Sequence, residues 1–108
     1  MHISYLLDKR VKKSWLKLVR TFSDELEKEL GEELLRVMAL PSPDDLVYES
    51  NVLIVVREAR PEVVKLVSRL ALMAQERVGV SGLNFLVVSE REQWAQKAFE
   101  EYRKGVKA

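Results

Sequence analysis

The fold turns on the stretch Leu46-Val47-Tyr48-Glu49-Ser50-Asn51-Val52-Leu53-Ile54-Val55-Val56. Its end is an unbroken, mostly β-branched apolar run, the composition of a central strand covered on both faces. Period 2 puts Glu49, Asn51, Leu53 and Val55 on one face and Tyr48, Ser50, Val52 and Ile54 on the other. Immediately upstream, Pro41-Ser42-Pro43-Asp44-Asp45 is a cluster of turn formers. Before it, residues 33 to 40 are rich in Leu, Val and Met and read as a buried strand. The short connection between the two strands favours antiparallel pairing.

Helical spacing governs the flanks. Val11, Trp15, Leu18, Val19, Phe22, Leu26 and Leu30 share one face, and Gly31 stands where a C-cap glycine belongs. A helix of about 20 residues is expected there. Pro61 suits the first position of a second helix, whose stripe is Val63, Leu66, Val67, Leu70, Met73 and Ala74 and whose end falls near Gly79. Residues 83 to 88 (LNFLVV) read as a third strand. Ser89, three residues before Glu92, offers a capping box for a last helix with Trp94, Ala98, Phe99 and Tyr102 facing inward.

The expected order is therefore α-β-β-α-β-α, an α/β (α+β) domain. A helix between the second and third strands calls for a parallel, right-handed crossover. The result is a three-stranded mixed sheet packed with helices. The chain's 108 residues suffice for one core and not two, so residues 1–108 read as a single domain. Hydrophobic residues at 47% and charged residues at 32% suit a folded, soluble chain, and disorder is not expected.

Cysteine is absent, which removes disulfides and thiolate metal sites and gives no sign of an oxidising compartment. No apolar run approaches the roughly 20 residues of a membrane span. No signal-peptide core precedes Asp8, Lys9 and Arg10, so a cytoplasmic location is expected. High charge, no cysteine and few glycines also suit a thermophile. The net charge of +1 hides an asymmetry, with Lys9, Arg10, Lys12, Lys13, Lys17 and Arg20 near the start and an acidic excess from Asp24 to Glu49. The basic stretch could meet phosphate, but the acidic segment after it argues against nucleic acid.

The stretch Glu32-Glu33-Leu34-Leu35-Arg36-Val37-Met38-Ala39-Leu40-Pro41-Ser42, the later Tyr48-Glu49-Ser50-Asn51-Val52-Leu53-Ile54-Val55-Val56, and residues 77 to 92 together carry a resemblance. In pattern and order, over most of the chain, they resemble the minimal nucleotidyltransferase domain of the DNA polymerase beta superfamily. That family carries a helix ending in glycine, a strand, a Gly-Ser loop with an arginine and a glycine, and a strand reading Ser-Asp-Ile-Asp-Val-Leu-Val-Val. The resemblance implies nucleotide transfer with Mg²⁺. Ser42 matches the nucleotide-binding serine, Glu49 and Asn51 the paired strand carboxylates, and Asn84 the third carboxylate. It also implies a helical protein partner, as in toxin–antitoxin pairs.

The departures fall on the chemistry. Pro41 replaces the glycine whose backbone approaches the triphosphate, and proline has neither an N–H nor access to positive φ. The loop is several residues shorter than in the family, lacks its arginine and glycine, and carries Asp44 and Asp45, which repel phosphate. Paired carboxylates two residues apart on a strand share two Mg²⁺ ions. Glu49, Asn51 and Asn84 supply one charge where the family has three, and each lost charge costs on the order of several kcal/mol of cation binding. A degenerate, non-catalytic protein that binds a protein partner or a nucleotide is expected. One alternative is an active enzyme using Glu49, the one remaining candidate metal ligand, with Asp44 or Asp45; the other, ranked lower, is a nucleic-acid-binding module acting through Lys9, Arg10, Lys12, Lys13, Lys17 and Arg20 of the basic first helix.

His2 is the sole histidine and lies in a terminus expected to be mobile, so no His-based catalytic pair can form and the serines have no base to activate them. Trp15 and Trp94 are expected in the core. Tyr5, Leu6 and Leu7, or the helix faces, are the candidate contact of a homodimer.

Overall fold

The computed structural model describes residues 2–5 and 12–107 and, among these, the side chains of 12–104. Val11, the basic residues Lys9 and Arg10, and the candidate dimer residues Leu6 and Leu7 lie outside the described residues. The elements run β1 (His2–Tyr5), α1 (Lys13–Leu30), β2 (Leu34–Ala39), β3 (Val52–Val56), α2 (Pro61–Val78), β4 (Phe85–Ser89) and α3 (Gln93–Lys107). A single 3₁₀ turn, Gly31–Glu33, links α1 to β2.

Strands β2, β3 and β4 form the expected mixed sheet, with β2 antiparallel and β4 parallel to β3. The three expected strands gain a fourth at one edge, where no strand was expected. His2–Tyr5 pairs parallel with β2, giving the order β1-β2-β3-β4. Ile3 and Tyr5 lie opposite Val37 and Ala39, so the backbone of β2 is paired on both sides. Four residues without a cap or a long alternation leave too little pattern to mark this strand in sequence.

The helices form for the reasons their sequences suggest. Gly31 ends α1 at φ 54° and donates its N–H to the Glu27 carbonyl, while Gly79 ends α2 in the left-handed region at φ 75°. Pro61 occupies the first turn of α2, where no N–H is needed. Trp15, Leu18, Val19, Phe22 and Leu26 of α1 and Val63, Val67, Leu70, Ala71 and Ala74 of α2 bury one face of the sheet. They meet Val37, Ala39, Val52, Ile54 and Val56 there. On the other face, Ala95 and Phe99 of α3 cover Met38, Leu40, Leu53, Val55 and Val88. All five residues of β3 are buried, as a central strand between two layers requires. None of the described helices is long and apolar enough to cross a membrane.

Two further expectations need correction. The strand expected from Leu46 begins only at Val52, because the chain first folds back on itself between Val47 and Ser50. Trp94, expected in the core, is 51% exposed, and the inward stripe of α3 is Ala95, Phe99 and Tyr102.

Candidate functional site

The positions singled out by sequence lie in the loop between β2 and β3 and at the entry to β4. Trp15 anchors the start of this loop from α1 by donating its buried indole N–H to the Leu40 carbonyl at 2.8 Å. Pro41 is buried, and the Ser42 hydroxyl accepts the Asp44 N–H at 3.2 Å, closing a local turn. The hydroxyl expected to meet phosphate thus stabilises its own loop. Asp45 accepts the Tyr102 hydroxyl proton at 2.8 Å. Hydrogen bonding to Asp45, followed by burial and the Asp45 charge, raises the Tyr102 pKa above its usual 10.0.

Next comes a two-residue hairpin turn. The N–H groups of Val47 and Ser50 bond to each other's carbonyls at 2.8 and 3.0 Å, with Tyr48 and Glu49 between them at φ 51° and 59°. Positive φ at both central residues is the signature of a type I′ turn, which ordinarily takes Asn-Gly. Here it holds two residues with full side chains, at a cost of about 1–2 kcal/mol each for the left-handed conformation. The turn carries Tyr48 outward against Trp94, edge to face with centroids 5.1 Å apart. Glu49 is exposed at its tip.

Asn51 follows with a fully buried side chain. Its Nδ2 donates to the Pro43 carbonyl at 3.0 Å and to the Gly82 carbonyl at 2.8 Å, while its Oδ1 accepts the Asn84 N–H at 2.8 Å. Every polar hydrogen of the amide is engaged. The Asn84 carbonyl in turn accepts the N–H groups of Asn51 and Val52 at 2.7 and 3.1 Å. Gly82 stands at φ 101°, a conformation that side chains rarely adopt, and Pro43 lies alongside it, within ordinary van der Waals contact of an added Cβ. Asn84 itself is exposed, and its side-chain amide reaches only the Gly82 carbonyl, at 3.4 Å.

Glu49 and Asn51 are thereby separated in role. The expectation that they share one strand face does not hold, because Glu49 belongs to the turn and the strand starts after Asn51. A carboxylate pair on a strand would present two charges to one cation; these positions present one carboxylate on a hairpin tip and one amide locked between loops. This donor set does not fit a two-Mg²⁺ centre. Among the described residues, no group of three or more His, Cys, Asp or Glu side chains is placed to hold a metal ion.

The sequence reading missed the exposed aromatic pair. Tyr48 is 59% and Trp94 51% exposed, with Leu46 nearby in sequence at 48%. An open groove of about 760 Å³ adjoins Trp94 and is also lined by Leu35, Arg36, Val55, Lys97 and Glu100. Arg36 and Glu100 form an ion pair across it at 2.8 Å. The signal was present in α3. Ala95, Phe99 and Tyr102 at i, i+4 and i+7 already complete an inward stripe, which leaves Trp94 on its flank. Set against known protein families, curated proteins and solved structures, the chain matches none of them.

Proposed function

We propose that this chain is a nucleotidyltransferase-like domain whose site is degenerate and which works by binding a protein partner. The observation that carries this reading is the commitment of Asn51. The residue matching a catalytic carboxylate is neutral, fully buried, and bonded to the two loops around it. A metal or phosphate could reach it only by breaking bonds that hold those loops together. Leu46, Tyr48 and Trp94 offer the partner an apolar, aromatic landing surface beside the groove at Arg36 and Glu100. Aromatic residues of this kind commonly anchor protein interfaces. A helical partner, as in toxin–antitoxin pairs, is the one the resemblance suggests.

Titration of ATP and GTP with Mg²⁺ or Mn²⁺, paired with a labelled-ATP transfer assay, tests the reading. No binding heat and no transfer are expected. Metal-dependent transfer that disappears in Glu49→Ala would establish an active enzyme instead. For the partner, the product of the adjacent gene is co-expressed with the chain. Retention lost on Tyr48→Ala and Trp94→Ala is expected, whereas unchanged retention would remove these residues from the contact.

A further inference from the structure

The outer edge of β4 is free of any partner strand among the described residues. Natural sheets guard such edges with lysines, prolines, bulges or inward charges, because an unguarded edge pairs with other chains. Phe85-Leu86-Val87-Val88-Ser89 has none of these, and its register with β3 runs without a shift. Only Val88 is fully buried, in contrast to the wholly buried β3, so the edge is reachable.

The backbone groups available there can be assigned. The Asn84 carbonyl and the Glu90 N–H both bond to β3. In a parallel ladder, residues 84, 86, 88 and 90 therefore face β3, while Phe85, Val87 and Ser89 turn their N–H and C=O groups to the open edge. The Ser89 N–H is already held by the Glu92 carboxylate at 3.2 Å. The Ser89 carbonyl accepts the Glu92 N–H at 3.0 Å, so the edge offers the N–H and carbonyl groups of Phe85 and Val87 and the second lone pair of the Ser89 carbonyl.

We infer that this edge pairs antiparallel with the β4 edge of a second copy of the chain, about a two-fold axis through Val87, to give one continuous eight-stranded sheet. The register is self-complementary. Val87 and its counterpart exchange both of their bonds, and each Phe85 N–H meets the Ser89 carbonyl of the other copy, whose second lone pair remains beside the bond it takes from its own Glu92 N–H. Phe85 and Val87 extend the core layer under α1 and α2, while Leu86 extends the layer under α3. Pairing in this register continues both layers across the axis.

Helix α2 supports the same axis independently. Arg77 pairs with Glu25 of α1 at 2.8 Å, which fixes the flank of α2 that faces α1. Val64, Ser68 and Leu72 lie on the flank away from α1, one turn apart from each other, and all three are exposed. Val64 and Leu72 are 38% and 59% exposed. They are spaced equally about Ser68, so a two-fold axis there sets Val64 against Leu72 of the other copy, with a small residue at the crossing. Gln75 accepts the Leu83 N–H at 3.2 Å and so ties the end of α2 to the start of β4. From that tie, seven residues of helix at about 1.5 Å each lead back to Ser68, and four of strand at about 3.3 Å each lead on to Val87. Both reach nearly the same level, and one axis serves strand and helix. A foreign peptide would use the strand but would have no reason to match α2.

Sedimentation from about 1 to 200 µM, with amide hydrogen exchange at both ends of the range, tests this inference, because a small interface of this kind is expected to associate at micromolar concentration. The expected result is a monomer of 12.5 kDa passing to a dimer, with exchange at the Phe85 and Val87 amides slowing as the dimer fills. Leu72→Glu, at a site too exposed to affect folding, should weaken association at least about tenfold, since it sets a charge against the apolar Val64 of the other copy. Val87→Lys should abolish it, with far-UV circular dichroism confirming the fold. A chain that stays monomeric throughout overturns the inference. So does a dimer indifferent to Leu72→Glu with unprotected Phe85 and Val87 amides. Both outcomes are independent of whether the chain transfers nucleotides.

Discussion

Replacing Asn51 by aspartate would place a carboxylate where the proposed nucleotidyltransferase resemblance expects one, and it is expected to damage the fold. The side chain is fully buried, and its Nδ2 donates to the Pro43 and Gly82 carbonyls at 3.0 and 2.8 Å. Aspartate keeps the bond from the Asn84 N–H and loses both donors. Each orphaned carbonyl costs about 1–3 kcal/mol. An ionised oxygen facing them adds the penalty of a buried charge without a counterion. A loss of about 3–5 kcal/mol at pH 7 follows, a large part of the 5–15 kcal/mol typical of a domain. The pH dependence separates this cause from simple misfit. Burial against carbonyls raises the carboxyl pKa in the folded state above its unfolded value, and a raised folded pKa favours the fold at low pH. The penalty in Asn51→Asp should therefore shrink as pH falls from 7 towards 4, where a protonated carboxyl can donate to one carbonyl again. Urea unfolding of both proteins at pH 7 and pH 5, followed by tryptophan fluorescence, gives the comparison. A variant within about 1 kcal/mol of the parent at pH 7, or a penalty that does not change with pH, would refute the reasoning.

Two further outcomes are expected from the same loop and its contacts. Glu49→Gly relieves a left-handed φ of 59° and should raise stability by about 0.5–1 kcal/mol, read as a higher urea midpoint at unchanged slope; a lower midpoint would show that Glu49 makes a stabilising contact. Tyr102→Phe removes the bond to Asp45 and should lower stability at neutral pH. Because the folded Tyr102 pKa is raised, the parent's advantage is complete below pH 10 and fades as pH rises through the folded pKa, so unfolding midpoints of the two proteins should converge in alkali.

The helices and the central strand were legible because their signals are local. Gly31, Pro61 and Gly79 punctuate the helices, and the run from Val52 to Val56 needs burial on both sides. What escaped the reading depends on distant or weak signals. The turn at Tyr48 and Glu49 carries neither asparagine nor glycine, so nothing in its composition marks a left-handed pair, and the residues around it pass for the start of a strand. The four residues of β1 gain their place from the exposed edge of β2 and not from any pattern of their own. For Asn51, two-residue spacing suggested an open ligand position, whereas the partners that close it lie 8 and 31 residues away in sequence.

Asn51 also explains why a neutral side chain and this loop belong together. It stands where the β2–β3 loop and the approach to β4 converge, and carbonyls from both sides point at its Nδ2. A carboxylate there would face two partial negative charges, and the loops could not close on it. The loop brings Pro43 beside Gly82, which sets one of these carbonyls beside the other, and the arrangement is satisfied by a side chain that donates twice. Asparagine meets that demand, with its oxygen left to take the Asn84 N–H. Placing a charge at this single position therefore opposes the loop around it, and a metal site here would also require the Pro43 and Gly82 carbonyls to move away. The neutral residue is the one this closed loop geometry calls for.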